Sequence, residues 1–479
     1  MAPDPKAFRA ESARALGNAA LRANYRNATQ RVRSRRDERM SELTDLPALR
    51  GIGQAAKRRA LARLPDLLEQ LEERLTRRGV QVHWAETTAR ANAIVLEIAR
   101  RRGARRVVKG KSMVSEEMEL NHFLAGHGIE ALEADLGEFI VQLAGQLPVH
   151  LVVPAIHMNR QEIARLFQDK LAVPYTADVQ ELTRIARRVL REKFQQADIG
   201  ISGVNFAVAE TGTLALVENE GNGRMVTSVP PVHIALMGIE KVVERLEDLA
   251  PLVRLLTRSA TGQTITSYFN WLSSPRRPGE LDGPEEVHVI LLDSGRSAIY
   301  RDAQLRETLD CIRCAACLNV CPVYQRIGGK AYGSPYMGPI GKILTPQMAG
   351  LDRAGHLAGA STLCGACYEV CPVQIPIPDL LLRLRQEASQ PTAAGRALLP
   401  GAGGGRSAGE ALVWKGWQVL HDRPAAYRLF TRLAGLLGAV LPEAALGAAG
   451  PLSTWRKARA LPVPARRTLH DLLADRPRQ

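Results

Sequence analysis

The chain has 479 residues, 46% hydrophobic, 24% charged and only 5% aromatic, with a formal net charge of +15. That length calls for two or three domains, each large enough for a core. No run of 18 apolar residues appears, which excludes an ordinary membrane span. The first residues, MAPDPKAFRAESARALGN, lack the apolar stretch of a signal peptide, so a cytoplasmic protein is expected.

In chain order, residues 1–60 read as a helical, basic N-terminal extension that packs on the next domain or reaches out from it. Residues 61–296 alternate between strand and helix patterns. Leu64, Leu67, Leu68, Leu71 and Leu75 share one helix face, and Gly79 suits its C-terminal stop. Val80 to Trp84 reads as a strand. Thr87 or Thr88 caps a helix containing Ile94, Val95 and Ile98, and Gly103 ends it. Arg106 to Lys109 is a strand, followed by a helix through Met118, Leu120 and Phe123. Val149 to Val153 reads as a buried strand, Asn159 to Lys170 and Val179 to Gln196 as helices. Two short apolar strands flank Glu210-Thr211-Gly212. His233 to Ile239 and Val287 to Leu292 complete the buried strands. Strands alternating with helices of this length predict a mainly parallel α/β sheet.

Residues 297–390 hold every cysteine, and Ser297 to Asp310 and Asp379 to Ala388 read as flanking helices. The Gly- and Pro-rich segment from Gly328 to Gly341 lies between the cysteine runs and should pack as an ordered loop. Residues 391–409, including Gly403 to Gly405, read as a flexible linker. Residues 410–479 form a tail, helical at first, whose end with Pro462 and Pro464 suits an extended docking arm. The most apolar stretch, Leu429 to Leu446, is broken by Arg432, Pro442 and Glu443. It reads as a core or interface helix pair, with peripheral membrane contact as one use.

The cysteines set the chemistry. The first run is CIRCAACLNVCP from Cys311, or C-x2-C-x2-C-x3-C-P, the bacterial ferredoxin pattern. The second is CGACYEVCP from Cys364, the same run with Ser361 at its first position. Thiolate is soft and anionic and suits iron bridged by sulfide. Two-residue gaps let one loop turn three sulfurs inward, and the fourth cysteine of such a run crosses to the other cluster. The crossover rule assigns Cys311, Cys314, Cys317 and Cys371 to one cluster, and Cys321, Cys364 and Cys367 to a second. The fourth iron of the second could take the Ser361 oxygen, water or a partner's group, or be absent, as in a 3Fe–4S form. Ser361 equally suits a helix cap or a polar loop. Zinc sites usually pair ligands across a long spacer, often with histidine, and two runs each closed by Cys-Pro do not match that.

The α/β part offers a second expectation. Lys109-Gly-Lys-Ser112 lies between a strand and a helix, where backbone N–H groups and lysine can hold an anion. It lacks the full phosphate-loop pattern. Glu210, Thr211, Asn222 and Arg224 stand at strand ends, where α/β sheets place clefts. A carboxylate pairing with Arg224 or Lys109 in a small-molecule cleft is the expectation; turn-shaping glycines and surface pairs are the plainer reading. No histidine stands out as catalytic, and no dinucleotide fingerprint, nucleophile elbow or H-E-x-x-H is present, so no catalytic residue is named. Positive charge gathers at Arg31, Arg33, Arg35, Arg36 and Arg39, and at Arg456, Lys457, Arg459, Arg466 and Arg467. Such ends can hold nucleic acid, but aromatics are scarce and no binding motif appears. Docking to an acidic partner subunit is expected, with a solvated surface as the plainer reading.

These segments together resemble a known family. KGKSM at Lys109, GISGVNFAVAETGTLALVENEGNGRM from Gly200, CIRCAACLNVCPVYQRIGGKAYG from Cys311 and LCGACYEVCPVQIP from Leu363 are similar to the B subunit of the bacterial lactate-utilisation system. The resemblance implies an N-terminal lactate-utilisation domain with a sheet like that of ribose-phosphate isomerases and CoA-transferases. It implies a dicluster ferredoxin domain with the same cysteine assignment, and two iron–sulfur clusters, 4Fe–4S by type. It also implies two partner subunits, an electron acceptor of unknown identity, and oxidation of L-lactate to pyruvate in the cytoplasm. Glycolate or another 2-hydroxy acid is the neighbouring alternative; a redox-sensing binding protein with structural clusters is the alternative of another class.

Overall fold

The computed structural model describes residues 3–389, 408–440, 465 and 467–475. Two compact units divide the chain, Met1–Gly404 and Gly405–Gln479. The boundaries read at residues 60 and 296 therefore fall inside one compact unit.

Among the described residues of the first unit, ten strands form two sheets: β1 (Gln81–Ala85), β2 (Arg106–Lys109), β3 (Glu130–Glu133), β4 (Ile199–Gly203), β5 (Phe206–Val208), β6 (Thr213–Glu218), β7 (Val232–Gly238), β8 (Val242–Val243), β9 (Tyr268–Leu272) and β10 (Glu286–Leu292). The larger sheet is entirely parallel, in the order β1-β10-β7-β4-β2-β3. A parallel sheet is covered on both faces, so its strands run apolar throughout rather than alternating. Every residue of β4 and β7 is buried accordingly. The second sheet, β8-β5-β6-β9, contains the antiparallel hairpin in which Val208 pairs with Thr213 across Glu210-Thr211-Gly212.

Local signals behave as their chemistry demands. The leucine face of the helix Leu64–Thr76 is wholly buried, and Gly79 follows at φ +86°. Thr87 caps the helix Thr88–Arg101 by accepting from Arg90 N–H at 3.2 Å. Gly200 is indispensable in β4, because a Cβ there would lie 1.9 Å from the Val226 carbonyl oxygen.

Three expected elements are corrected. The helix read over Ser297 to Asp310 is a short helix, Arg296–Arg301, and a separate 3-10 stretch, Leu305–Asp310. The helix through Met118, Leu120 and Phe123 is two short helices, Met113–Glu117 and Leu120–Ala125, separated where Glu119 turns left-handed at φ 50°. Val149 to Val153 is not a strand but a buried irregular loop. The cause is His150, whose Nδ1 accepts from the N–H groups of Val152 at 3.0 Å and Val153 at 2.9 Å, leaving them unavailable to a ladder. The four-residue β3, the half-exposed β9 and the helix Leu249–Thr261 gave no clear sequence signal.

The helices Pro5–Gly17, Ala19–Ser41 and Leu46–Ala62 do not stand apart. Tyr25 is 2% exposed and meets the Tyr324 ring edge-on, with centroids 5.8 Å apart. Gly328, at φ +67°, makes room, since its Cβ would lie 2.3 Å from the Tyr25 ring. The cysteine-bearing part is built of short helices, closing with Gly338–Ala349, Leu351–Gly359 and Ile377–Ser389.

The second unit contains the helices Ala408–Asp422 and Pro424–Val440, and the short Leu469–Ala474 capped by Thr468. Leu429, Leu433, Leu436 and Leu437 are exposed along the second of these. Most of the linker read at 391–409, the end of the apolar stretch at 441–446, and Arg456, Lys457, Arg459, Pro462, Pro464 and Arg466 lie outside the described residues. Among the described residues no helix is long and apolar enough to cross a membrane.

Candidate functional site

The two cysteine runs share one backbone design. In the first, Arg313 and Ala315 flank Cys314 with positive φ, 61° and 62°. In the second, Leu363 and Gly365 flank Cys364 with φ 52° and 83°. A short helix follows each, Ala316–Val320 and Ala366–Glu369. These reversals bend each loop around its sulfurs, and they hold three non-glycine residues in a conformation that costs energy. The match extends to the first position. Arg313 N–H donates to Cys311 Sγ at 3.4 Å, and Leu363 N–H donates to Ser361 Oγ at 3.2 Å. Ser361 is thus placed in its loop as Cys311 is in the other.

Cys311, Cys314, Cys317 and Cys371 line one small cavity, closed by Ile312, Ile340, Val373, Ile375 and Ile377. Cys321 is not among its walls. Ile375 N–H donates to Cys371 Sγ at 3.3 Å. Burial, with a smaller contribution from neighbouring cysteine charges, raises the pKa of the Cys314 and Cys371 thiols to about 12. Thiols held this high ionise only beside a strong cation. Among the described residues no three His, Cys, Asp or Glu side chains converge tightly enough to chelate one ion. Four thiols spread around an apolar cavity, with backbone N–H groups on the sulfurs, fit an iron–sulfur core.

The other three cysteines form a shallower group. Burial, then the charges of Cys321 and Cys364, raise the Cys367 thiol to about 11. Lys342, 1% exposed, places Nζ 3.5 Å from Cys321 Sγ. Cys364 is exposed. The N-terminal helices brace this end: Arg50 donates to the Cys371 carbonyl through Nε at 3.1 Å and Nη2 at 2.7 Å, and Arg36 Nη2 donates to the Val370 carbonyl at 3.1 Å. In the sequence Arg36 looked like one of a run of surface charges; only its long-range partner marks it otherwise.

A buried charge network joins the first cysteine loop to the sheet. Glu240 is 1% exposed and accepts from Arg296 Nε at 2.7 Å and Arg313 Nη2 at 3.0 Å. Burial opposes its ionisation, but Arg296 and Arg313 outweigh it and hold the carboxyl far below the ordinary range. Arg296 also grips Glu117 through both terminal nitrogens, at 3.0 and 2.8 Å, and the Tyr336 hydroxyl donates to Glu117 at 2.8 Å. Gly238 makes space for the pair, since its Cβ would lie 2.1 Å from Glu240 Oε2.

Beside this network is a cavity of about 180 Å³. Its walls include Lys111 to Val114 after β2, Gly203 to Asn205 at the end of β4, and Glu240 and Lys241 after β7. The helix Leu249–Thr261 contributes one side, and Arg313 and Tyr336 come from the cysteine-bearing part. In chain order β2 leads outward to β3, whereas β4 leads the other way to β7. The carboxyl ends of β2 and β4 are therefore a switch point, where open α/β sheets bind ligands.

The five residues proposed for a cleft do not line this cavity. Lys109 is fully buried, with Nζ 2.7 Å from Ser115 Oγ, 2.9 Å from Glu116 and 2.8 Å from Glu133. These carboxylates overcome its burial and hold its charge. Glu210 sits at the hairpin turn and accepts from Leu246 N–H at 2.9 Å. Thr211 bonds Thr213 at 2.9 Å. Asn222 begins the helix Asn222–Ser228, and the exposed Arg224 gives its backbone N–H to Glu218 at 3.2 Å. Lys111 and Ser112 of the same motif, two and three residues after Lys109, line the cavity instead.

Comparison with known proteins agrees with this layout. Residues 68–292 match the LUD domain, 307–375 the 4Fe-4S dicluster domain, and 383–478 the lactate utilisation protein B C-terminal model. The chain is 40% identical to lactate utilization protein B of Bacillus licheniformis, over 96% of this chain and 95% of that one. It is 39% identical to the protein of that name from Bacillus subtilis, over 98% and 96%. For the Bacillus thuringiensis protein the identity is 41%, over 95% and 94%.

Proposed function

The chain belongs to the lactate utilization protein B family, and from that premise we propose that it is an electron-transfer subunit of a complex oxidising L-lactate to pyruvate. It works with two other lactate-utilisation subunits and hands electrons to an acceptor. The observation that carries this reading is Cys371, which leaves its own run to complete the cavity of Cys311, Cys314 and Cys317. Such crossing is the habit of two-cluster ferredoxins. Lactate oxidation yields a pair of electrons, and iron–sulfur clusters supply one-electron steps. Cys311, Cys314, Cys317 and Cys371 hold one 4Fe–4S cluster, and Cys321, Cys364 and Cys367 hold a second. The Ser361 oxygen is its fourth ligand, as the shared loop geometry supports. The first set, with Cys314 and Cys371 buried and Cys311 and Cys317 half-buried, shields its cluster, and the exposed Cys364 leaves the second open to a partner. A likeness of the sheet to ribose-phosphate isomerases and CoA-transferases is part of the same proposal, supported by its parallel order.

The test is anaerobic purification of the chain with its partners, followed by EPR with and without L-lactate. Lactate-dependent reduction of the clusters in the complex is expected. Clusters unchanged by lactate there, while a deletion strain grows normally on lactate and poorly on glycolate, would transfer the role to another 2-hydroxy acid.

A further inference from the structure

The cavity at the β2–β4 switch point contains cationic groups that the protein itself does not satisfy. Arg313 spends Nη2 on Glu240, but its Nη1 is buried without a hydrogen-bond partner, on a side chain only 8% exposed. Lys241 is 8% exposed, and among the described residues its ammonium makes no hydrogen bond or ion pair. Burial, then Arg313, press its pKa down to about 7. Lys111 stands on the same walls but is already tied to the Val152 carbonyl and paired with Asp135 at 3.8 Å. The one acid among the lining residues, Glu240, is already shared between two guanidiniums. Burying cations without anions is costly, and such sites are ordinarily completed by a ligand.

The remaining walls choose among anions. Asn205 and Thr257 are among the uncharged polar groups, and Val204, Leu216, Leu236, Leu256 and Ala260 are apolar. A phosphate would press polar oxygens against them, whereas a short carboxylate presents one charged end and one small apolar end. A second negative charge on the ligand would meet Glu240.

We propose that this cavity binds a short-chain 2-hydroxy or 2-oxo monocarboxylate, its carboxylate taken by Arg313 Nη1 and Lys241 Nζ. The site stands on the cavity, the unpartnered Arg313 Nη1 and the unpaired Lys241 ammonium; the choice of L-lactate or pyruvate within the class rests on the function proposed above. Arg313 lies between Cys311 and Cys314 and lines both the cysteine cavity and this one, so the bound acid sits beside the first cluster's loop.

The experiment is calorimetric titration of the anaerobically purified full chain with L-lactate, pyruvate and inorganic phosphate. Saturable binding of a carboxylate, tighter than phosphate, is expected. Lys241→Met should weaken it by about tenfold or more, while iron content is kept and the thermal midpoint does not fall, because an uncompensated buried charge has been removed. Ala260→Leu, which fills the cavity, should weaken it likewise. No saturable carboxylate binding, phosphate binding preferred, or full affinity in both variants would overturn the site. Lactate-dependent cluster reduction in the complex without carboxylate binding here would overturn the site and leave the electron-transfer role. Carboxylate binding here without such reduction would overturn that role and leave the site.

Discussion

Replacing Glu240 by glutamine tests whether the charge network holds the cysteine loop to the sheet. The carboxylate accepts one charge-assisted bond from Arg296 and one from Arg313, on a residue 1% exposed. Glutamine keeps the shape but offers one carbonyl oxygen, and its amide N–H groups then confront a guanidinium. One charge-assisted bond is lost, about 1.5–3 kcal/mol, and the buried Arg313 is left without its carboxylate, while Arg296 keeps Glu117. The expected total is about 3–5 kcal/mol, a large share of the ~5–15 kcal/mol that ordinarily stabilises a fold. Anaerobic urea unfolding of the wild type and Glu240→Gln, followed by circular dichroism, measures the difference. The sign with pH follows from the depressed carboxyl. Its contribution is complete above the ordinary glutamate value of 4.5 and is lost only as pH falls toward its lower folded value. A cost under about 1 kcal/mol would refute the reasoning and make the network an incidental arrangement of charges.

Other outcomes are equally specific. Cys371→Ala should abolish the cluster of the first run and Cys321→Ala that of the second, each removing about half the iron; a pattern in which each substitution removes its own run's cluster would exclude crossing. Ser361→Ala should alter the EPR signal of the second cluster alone, and Ser361→Cys should make that cluster more resistant to oxygen. Unchanged iron content and spectra in both would show that the serine only shapes its loop. His150 is neutral, with Nδ1 accepting from two backbone N–H groups and Nε2 donating to Asn319 at 3.1 Å, and burial pushes its pKa from 6.5 down to about 3. The unfolded chain therefore binds this proton first, and stability falls by about 1.4 kcal/mol per pH unit as pH drops from 6.5 toward 3. Asparagine can accept from the same N–H groups without titrating, so His150→Asn should flatten that limb in acid-unfolding curves.

Cysteine spacing, leucine faces and apolar runs determined much of this protein without any structure. Spacing carries ligand identity because each thiolate serves iron wherever the fold takes it. Leu64 to Leu75 and Thr87 were legible because caps and helix faces act within a few residues. The irregular loop at Val149 was not, since its apolar residues looked like a strand and only the turned-back His150 ring decides otherwise. Nor were the partners of charge. Lys109 and Lys111 are near neighbours in one motif, yet one is sealed against Glu116 and Glu133 and the other lines a cavity. Arg36 read as one of a basic run, and Arg296 and Arg313 carried no local signal, yet all three are held inside by acceptors that lie 334, 56 and 73 residues away. Local chemistry fixes which groups are present; which are buried, and beside what, depends on contacts between distant segments that only the tertiary fold brings together.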